Sequence, residues 1–268
     1  MNWNLYRKEL KRNRKNLIIW SAIVIAFTIM VTSIFPFMQE MGESMSALMD
    51  KMPAELSKAM GMDSETWSSI LGFYSTYYGI YIIVLVSIYT TSTGATIISK
   101  EEKDQTSEFL MTKPISRLEI FKTKMLALFT LSLIIYLVQA IVALISLSLF
   151  KSAPVNWEAF AIMHVGGLIL MLFFTCVGVI LSMFVTPKKN FMGMVVGITF
   201  GSYFINAIGQ AADAVNWVSY FSPFHYLSFQ VNDPNYSVNY LGALALLAIG
   251  TLMLYLSFQK YKKKDIAG

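Results

Sequence analysis

Residues 99–124 read SKEEKDQTSEFLMTKPISRLEIFKTK, and the reading of this polar run decides how the chain folds. It lies between two apolar segments of membrane-spanning length, so it joins two spans outside the bilayer. It mixes both signs: Lys100, Lys103, Lys113, Arg117, Lys122 and Lys124 against Glu101, Glu102, Asp104, Glu108 and Glu119. Ser99-x-x-Glu102 and Ser116-x-x-Glu119 are capping-box patterns, in which hydroxyl and carboxylate satisfy backbone donors left open at a helix start. Between them, Pro114 disfavours helix at Lys113 and fits only near a helix beginning. The punctuation predicts a short helix over residues 100–111, a break at 112–115, and a new helix running into the membrane. A short helix held across the mouth of two spans suits docking. A solvated loop between spans is the plainer alternative.

The composition agrees with a bilayer setting. The chain has 268 residues, 56% apolar and 14% charged, with mean hydropathy +0.56. Soluble domains carry about one-quarter charged residues. A bilayer core needs about 20 residues of helix. Six segments qualify: 17–37, 71–98, 125–150, 160–185, 191–209 and 240–258. Little remains outside them, so one membrane domain over 1–268 is expected. Eighteen of the 21 basic residues fall in the N-terminus, the 99–124 loop, the turn after the fourth span and the C-terminus. With six alternating helices these regions share one side, and an excess of Lys and Arg marks the cytoplasm. Both termini are therefore expected inside. The net charge of +5 is a topology signal here, so nucleic acid is not an expected partner. The one cysteine, Cys176, lies in the fourth span and has no disulfide partner in the chain.

Residues 1–16 set Trp3, Leu5, Tyr6 and Leu10 among six basic residues, which suits an amphipathic helix lying in the interface against anionic lipid. A simple basic flank that fixes orientation explains them equally well. In the loop after the first span, Met38, Met41, Met45, Met49 and Met52 recur at helical spacing. No Cys or His accompanies them, so an adaptable apolar face is favoured over a soft-metal site, and no metal is expected. The outer half of the second span carries Tyr74, Tyr77, Tyr78 and Tyr81, whose spacing puts Tyr74, Tyr77 or Tyr78, and Tyr81 on one face, with Tyr74, Tyr78 and Tyr81 the candidates for a lining. They read as an interfacial aromatic belt or as a pathway lining. Deeper, Ser87, Thr90, Thr91 and Gly94 form a small face suited to close helix contact. Gln139 is the buried amide of the third span and needs a partner the sequence does not name. His164 reads as a hydrogen-bonded structural residue before it reads as a proton relay. Gly193, Gly197 and Gly201 recur every four residues, a stripe on which another helix can approach closely. The aromatic, weakly charged segment 210–239 reads as a re-entrant or interfacial hairpin broken at Pro223.

The sequence gives little support to several chemistries. There is no P-loop sequence for ATP, and the spans hold no internal Asp, Glu, Lys or Arg of the kind that ion-coupled transporters use. Glu101-Glu102 lacks the following Arg and the later histidines of an intramembrane protease, since position 106 is Thr106. No catalytic residue is expected.

The segment Glu102-Lys103-Asp104-Gln105-Thr106-Ser107-Glu108-Phe109-Leu110, followed by Pro114-Ile115-Ser116-Arg117 and Lys124, resembles the cytoplasmic loop of bacterial type 2 ABC exporter permeases. Those loops typically read as a charged cluster, Gly-Thr, an acid, paired Leu, then Pro-Val-Ser-Arg and a later Lys. Gln105 departs from the common Gly. Ser222-Pro223-Phe224-His225-Tyr226-Leu227 is similar to the Ser-Pro element before their last span. The resemblance implies an all-α membrane protein with six transmembrane helices and cytoplasmic termini. It also implies an interfacial N-terminal helix, a cytoplasmic coupling helix and a re-entrant external hairpin before the last span. Two permease subunits, identical or different, would pair with two separate ATP-binding subunits in the membrane lipid. ATP and Mg would bind the partner ATPase and no cofactor this chain. The coupling residues would be Glu101, Glu102, Lys103, Thr106, Glu108, Phe109, Leu110, Pro114 and Arg117. Family members export peptides, antibiotics, lipids or polysaccharide carriers, and small ones often act on antimicrobial peptides. A stand-alone secondary transporter or a structural membrane adaptor is the alternative.

Overall fold

The computed structural model describes residues 2–41, 51, 53, 69–100, 115–184, 191–229, 231 and 236–263. Six helices are long and apolar enough to cross a membrane. They are α1 (Trp3–Glu40), α2 (Ile70–Ile97), α3 (Arg117–Phe150), α4 (Trp157–Leu181), α5 (Phe191–Ala211) and α6 (Tyr240–Lys263). No strand occurs among the described residues. Local chemistry starts several of them. Asn2, Ser69, Ser116 and Asn156 each accept a backbone N–H three residues on, and Asn239 does the same for Gly242. The expected cap at Ser116 thus opens α3, its hydroxyl 3.2 Å from the Glu119 nitrogen. Ser99 instead donates its hydroxyl back to the Ala95 carbonyl at the end of α2. The rest of that capping box lies outside the described residues, as do most of the methionine-rich segment (42–50, 52) and residues 54–68.

One expectation needs correcting. Residues 3–15 form no separate interfacial helix, because α1 runs unbroken for 38 residues. Nothing between Trp3 and Phe35 interrupts it, since the only proline is Pro36 and no glycine occurs. At 1.5 Å per residue α1 is about 57 Å long, nearly twice the hydrocarbon thickness of a bilayer. Its N-terminal turns therefore continue the span beyond the apolar layer.

The bundle is organised around α2. Of the most apolar stretch of α2, 78% is buried, against 22% for α1 and for α5. The helix α4 packs along α2 on one side and α6 on the other, while α1 runs beside α3. The contact between α2 and α4 is backbone to backbone. A methyl group at Gly94 would sit 2.9 Å from the Thr175 carbonyl oxygen, and one at Gly178 would lie 2.9 Å from the Thr91 Cα. Thr91 then donates its hydroxyl across this seam to the Phe174 carbonyl at 3.0 Å. The small face expected from Thr91 and Gly94 is thus a helix contact, and its other half is Gly178.

Candidate functional site

Two apolar cores divide the bundle along its length. The larger fills the middle and one end. A smaller one gathers Leu5, Ile97, Ile120, Phe121, Val179 and Tyr261, where α1, α2, α3, α4 and α6 converge. The starts of α1 and α3 and the ends of α2 and α6 meet there. Inside this small core is a charged pair with both side chains fully buried: Lys124 Nζ lies 3.4 Å from Glu9 Oε1. The same ammonium donates to the Ile97 carbonyl at 2.5 Å. One turn along α1, Asn13 donates its amide to the Glu9 carbonyl at 2.9 Å and accepts from Lys100 Nζ at 2.8 Å. At the start of α1, the Asn2 N–H donates to Thr123 Oγ1 at 3.3 Å. Arg117 donates to the Lys262 carbonyl at 2.9 Å, which ties the beginning of α3 to the end of α6. One face of α1 therefore holds the departing root of the segment through Lys100 and its returning root through Thr123 and Lys124. Of the coupling residues expected from the sequence, Arg117 is in this cluster. Glu101, Glu102, Lys103, Thr106, Glu108, Phe109, Leu110 and Pro114 lie outside the described residues. Glu9 and Asn13 were not singled out in the sequence; the available signal was one acid within a run of six cations.

Toward the other end sits an uncharged hydrogen-bonded cluster from three helices. Gln139 Nε2 on α3 donates to the Tyr74 hydroxyl on α2 at 2.6 Å. The Tyr74 hydroxyl faces His164 Nε2 on α4 at 3.5 Å, and His164 Nδ1 is 2.9 Å from the Phe160 carbonyl. The carbonyl can only accept, so Nδ1 carries the proton and Nε2 receives from Tyr74. Tyr136 donates to the His164 carbonyl, which leaves Tyr78 as donor to the Tyr136 oxygen at 3.0 Å. The Nε2 of Gln139 thus finds a partner, while its buried Oε1 has none among the described residues, and His164 meets a polar atom at each ring nitrogen. Gly167 leaves room for the Tyr78 hydroxyl, which a methyl group at that position would overlap.

Of the three tyrosines expected on one face, Tyr74 and Tyr78 are together and fully buried in this cluster. Tyr81 is not with them: it is 39% exposed and stands beside Tyr77 and Phe27 of α1. The cause is a π-helical turn at Tyr78–Ile82, whose wider winding displaces Tyr81 from the regular helical register.

Gly193, Gly197 and Gly201 show the opposite of Gly178. Among the described residues, a methyl group at any of them would meet nothing beyond its own helix within 4 Å. The stripe is an open face of α5 in the single chain. Beyond α5, 3-10 helices at Asp213–Phe221 and Pro223–Tyr226 fold back on it. Ser222 between them donates to the Ser202 carbonyl of α5 at 2.6 Å and accepts from the Phe224 N–H at 3.1 Å. Trp217, Tyr220 and Phe221 remain exposed. Tyr236 donates to the Ser228 carbonyl at 2.9 Å, and burial pushes its phenol up from the ordinary value.

A family model described as "ABC-2 family transporter protein" matches residues 3–266, nearly the whole chain. A search of curated proteins returned no match. Members of this family are normally non-catalytic transmembrane subunits that associate with ABC ATP-binding subunits, where hydrolysis takes place. The chain therefore belongs to the ABC-2 transporter family, as a multi-pass permease subunit of an ABC transporter in the cytoplasmic membrane.

Proposed function

We propose that the chain is the membrane half of an ATP-driven exporter of amphipathic molecules: peptide, antibiotic or lipid-like. It works with a second permease subunit and two ATPase subunits, which bind ATP and Mg. The end bearing both termini faces the cytoplasm, where Lys and Arg concentrate. Segment 100–111 is the coupling helix that seats in the ATPase. The observation that carries this reading is the small core at that end, which ties both roots of the 101–114 segment to α1 through Lys100, Thr123 and Lys124. A segment with firmly held roots transmits a push; a loose loop absorbs it.

Phe109 and Leu110 are adjacent, so on a helix they point about 100° apart. One enters the ATPase while the other packs back on the membrane domain. Glu101, Glu102, Lys103, Thr106 and Glu108 form the rim, and Pro114 with Arg117 sets the turn into α3. The open stripe of Gly193, Gly197 and Gly201 supports a second permease subunit on that face. Tyr81, with Phe27 and Tyr77 beside it, lines the pathway, and Tyr74 and Tyr78 brace it from behind. Segment 213–226 caps the outer mouth.

The test is transport into inside-out vesicles containing the chain and its ATPase, with a fluorescent cationic amphipathic peptide and an uncharged lipid analogue as probes. Accumulation of either that requires both ATP and the ATPase supports the reading. Accumulation driven by a proton or sodium gradient without the ATPase supports a stand-alone transporter instead.

A further inference from the structure

We infer that Glu9 is a positioning residue for energy coupling: its buried pair with Lys124 clamps the returning root of the 101–114 segment to α1. The inference rests on the permease reading above and adds a residue that the loop motif does not contain. Three features of the structure carry it.

The first is burial. Glu9 is fully buried and Lys124 is 1% exposed, beside a core of aliphatic and aromatic side chains. Among the described residues neither Glu9 oxygen accepts a hydrogen bond of good geometry. A buried ion pair this poorly solvated adds little net stability over an apolar pair of the same volume. Its physical consequence is constraint, because displacing Lys124 leaves the buried Glu9 carboxylate without its counter-charge.

The second is register. Glu9 and Asn13 are four residues apart and share one face of α1. That face reaches both roots of the segment, Lys124 through Glu9 and Lys100 through Asn13. The roots are thereby fixed to one helix as well as to each other.

The third is continuity. α1 runs without a break from Glu9 to Glu40 at the opposite end of the bundle, past Phe27 beside Tyr81. A displacement of the roots is carried by one rigid helix to the aromatic face assigned to the pathway.

The experiment uses spin labels on the full chain in lipid vesicles, at Lys11→Cys on α1 and Lys122→Cys on α3. Both sites are exposed, and Cys176 is buried and unlabelled. With Glu9 in place the distance distribution is narrow. Glu9→Gln broadens it, and Glu9→Lys combined with Lys124→Glu narrows it again. Asn13→Ala, which strands no buried carboxylate, broadens it less. In the complex with the ATPase, Glu9→Gln lowers kcat for ATP hydrolysis about tenfold, within the usual range of a coupling free energy. KM for ATP, set within the ATPase, stays where it was, and the charge-swapped pair restores kcat. An unchanged distance in Glu9→Gln, or an unchanged kcat in an intact complex, overturns the inference. If the parent chain fails to retain an ATPase, the permease reading falls, and the distance measurement still decides the clamp.

Discussion

Gly178 and Gly197 are mid-helix glycines of consecutive spans, and they meet opposite surroundings. Gly178 stands in no repeated spacing, yet its Cα hydrogens touch the Thr91 backbone across the α2–α4 seam. Gly197 is the centre of a regular four-residue stripe, yet among the described residues nothing beyond its own helix comes within 4 Å of where a side chain would begin. A glycine spacing thus states that a backbone can approach and leaves open whose backbone it is. The chain uses its unpatterned glycines to close its own core and keeps its patterned ones on an outer face.

Substitutions separate the two cases. Gly178→Leu should have the largest effect, because the Thr91 backbone cannot move aside as a flexible side chain can. Overpacking typically costs about 1–3 kcal/mol and occasionally more, and Gly178→Leu adds a whole side chain against backbone. Thermal unfolding in detergent should show a large drop in midpoint, or no folded chain. An unchanged midpoint would mean that α2 and α4 are not in backbone contact.

A smaller loss is expected where the α2–α4 seam continues into the uncharged cluster. Tyr74→Phe removes the acceptor for Gln139 Nε2 and the donor to His164 Nε2. A buried amide left unpaired costs about 1–3 kcal/mol. Adding Gln139→Leu should recover most of that loss, since both halves of the hydrogen bond are then gone. A double variant as unstable as the single would show that the pairing is not what stabilises this end.

The smallest effect on the chain itself belongs to Gly197→Leu. With open space around it, its unfolding midpoint should match the parent, within about 0.5 kcal/mol. Association with a second permease subunit should be lost, read by cross-linking in membranes. Intact association would place the partner on another face.

The two glycines also show how far the sequence could be read. Six spans were legible because hydrophobic length is a property of each segment alone. The α3 start was legible for the same reason, since Ser116 and Glu119 interact within one turn. The α2–α4 seam was half legible: Thr91 and Gly94 stand out as small residues, but Gly178 is one small residue among bulky ones and only tertiary contact singles it out. The face of Tyr81 was misread because a π turn changes the winding without a proline or glycine to announce it. Glu9 was hidden by its neighbours, since a single acid among six cations reads as part of a basic flank. Its significance depends on Lys124, 115 positions later in the chain.

The coupling assignment stands or falls on retention of the ATPase by the affinity-tagged chain in detergent, comparing Phe109→Ala, Leu110→Ala and Lys103→Glu with the parent. Burying one such apolar side chain contributes roughly 1.5–3 kcal/mol. An exposed ion pair contributes about 0–1 kcal/mol. At least one apolar variant should therefore release the ATPase more than Lys103→Glu does, with membrane insertion and permease pairing unchanged. If both apolar variants hold the ATPase and transport as the parent does, segment 100–111 is a solvated loop and the coupling assignment is wrong.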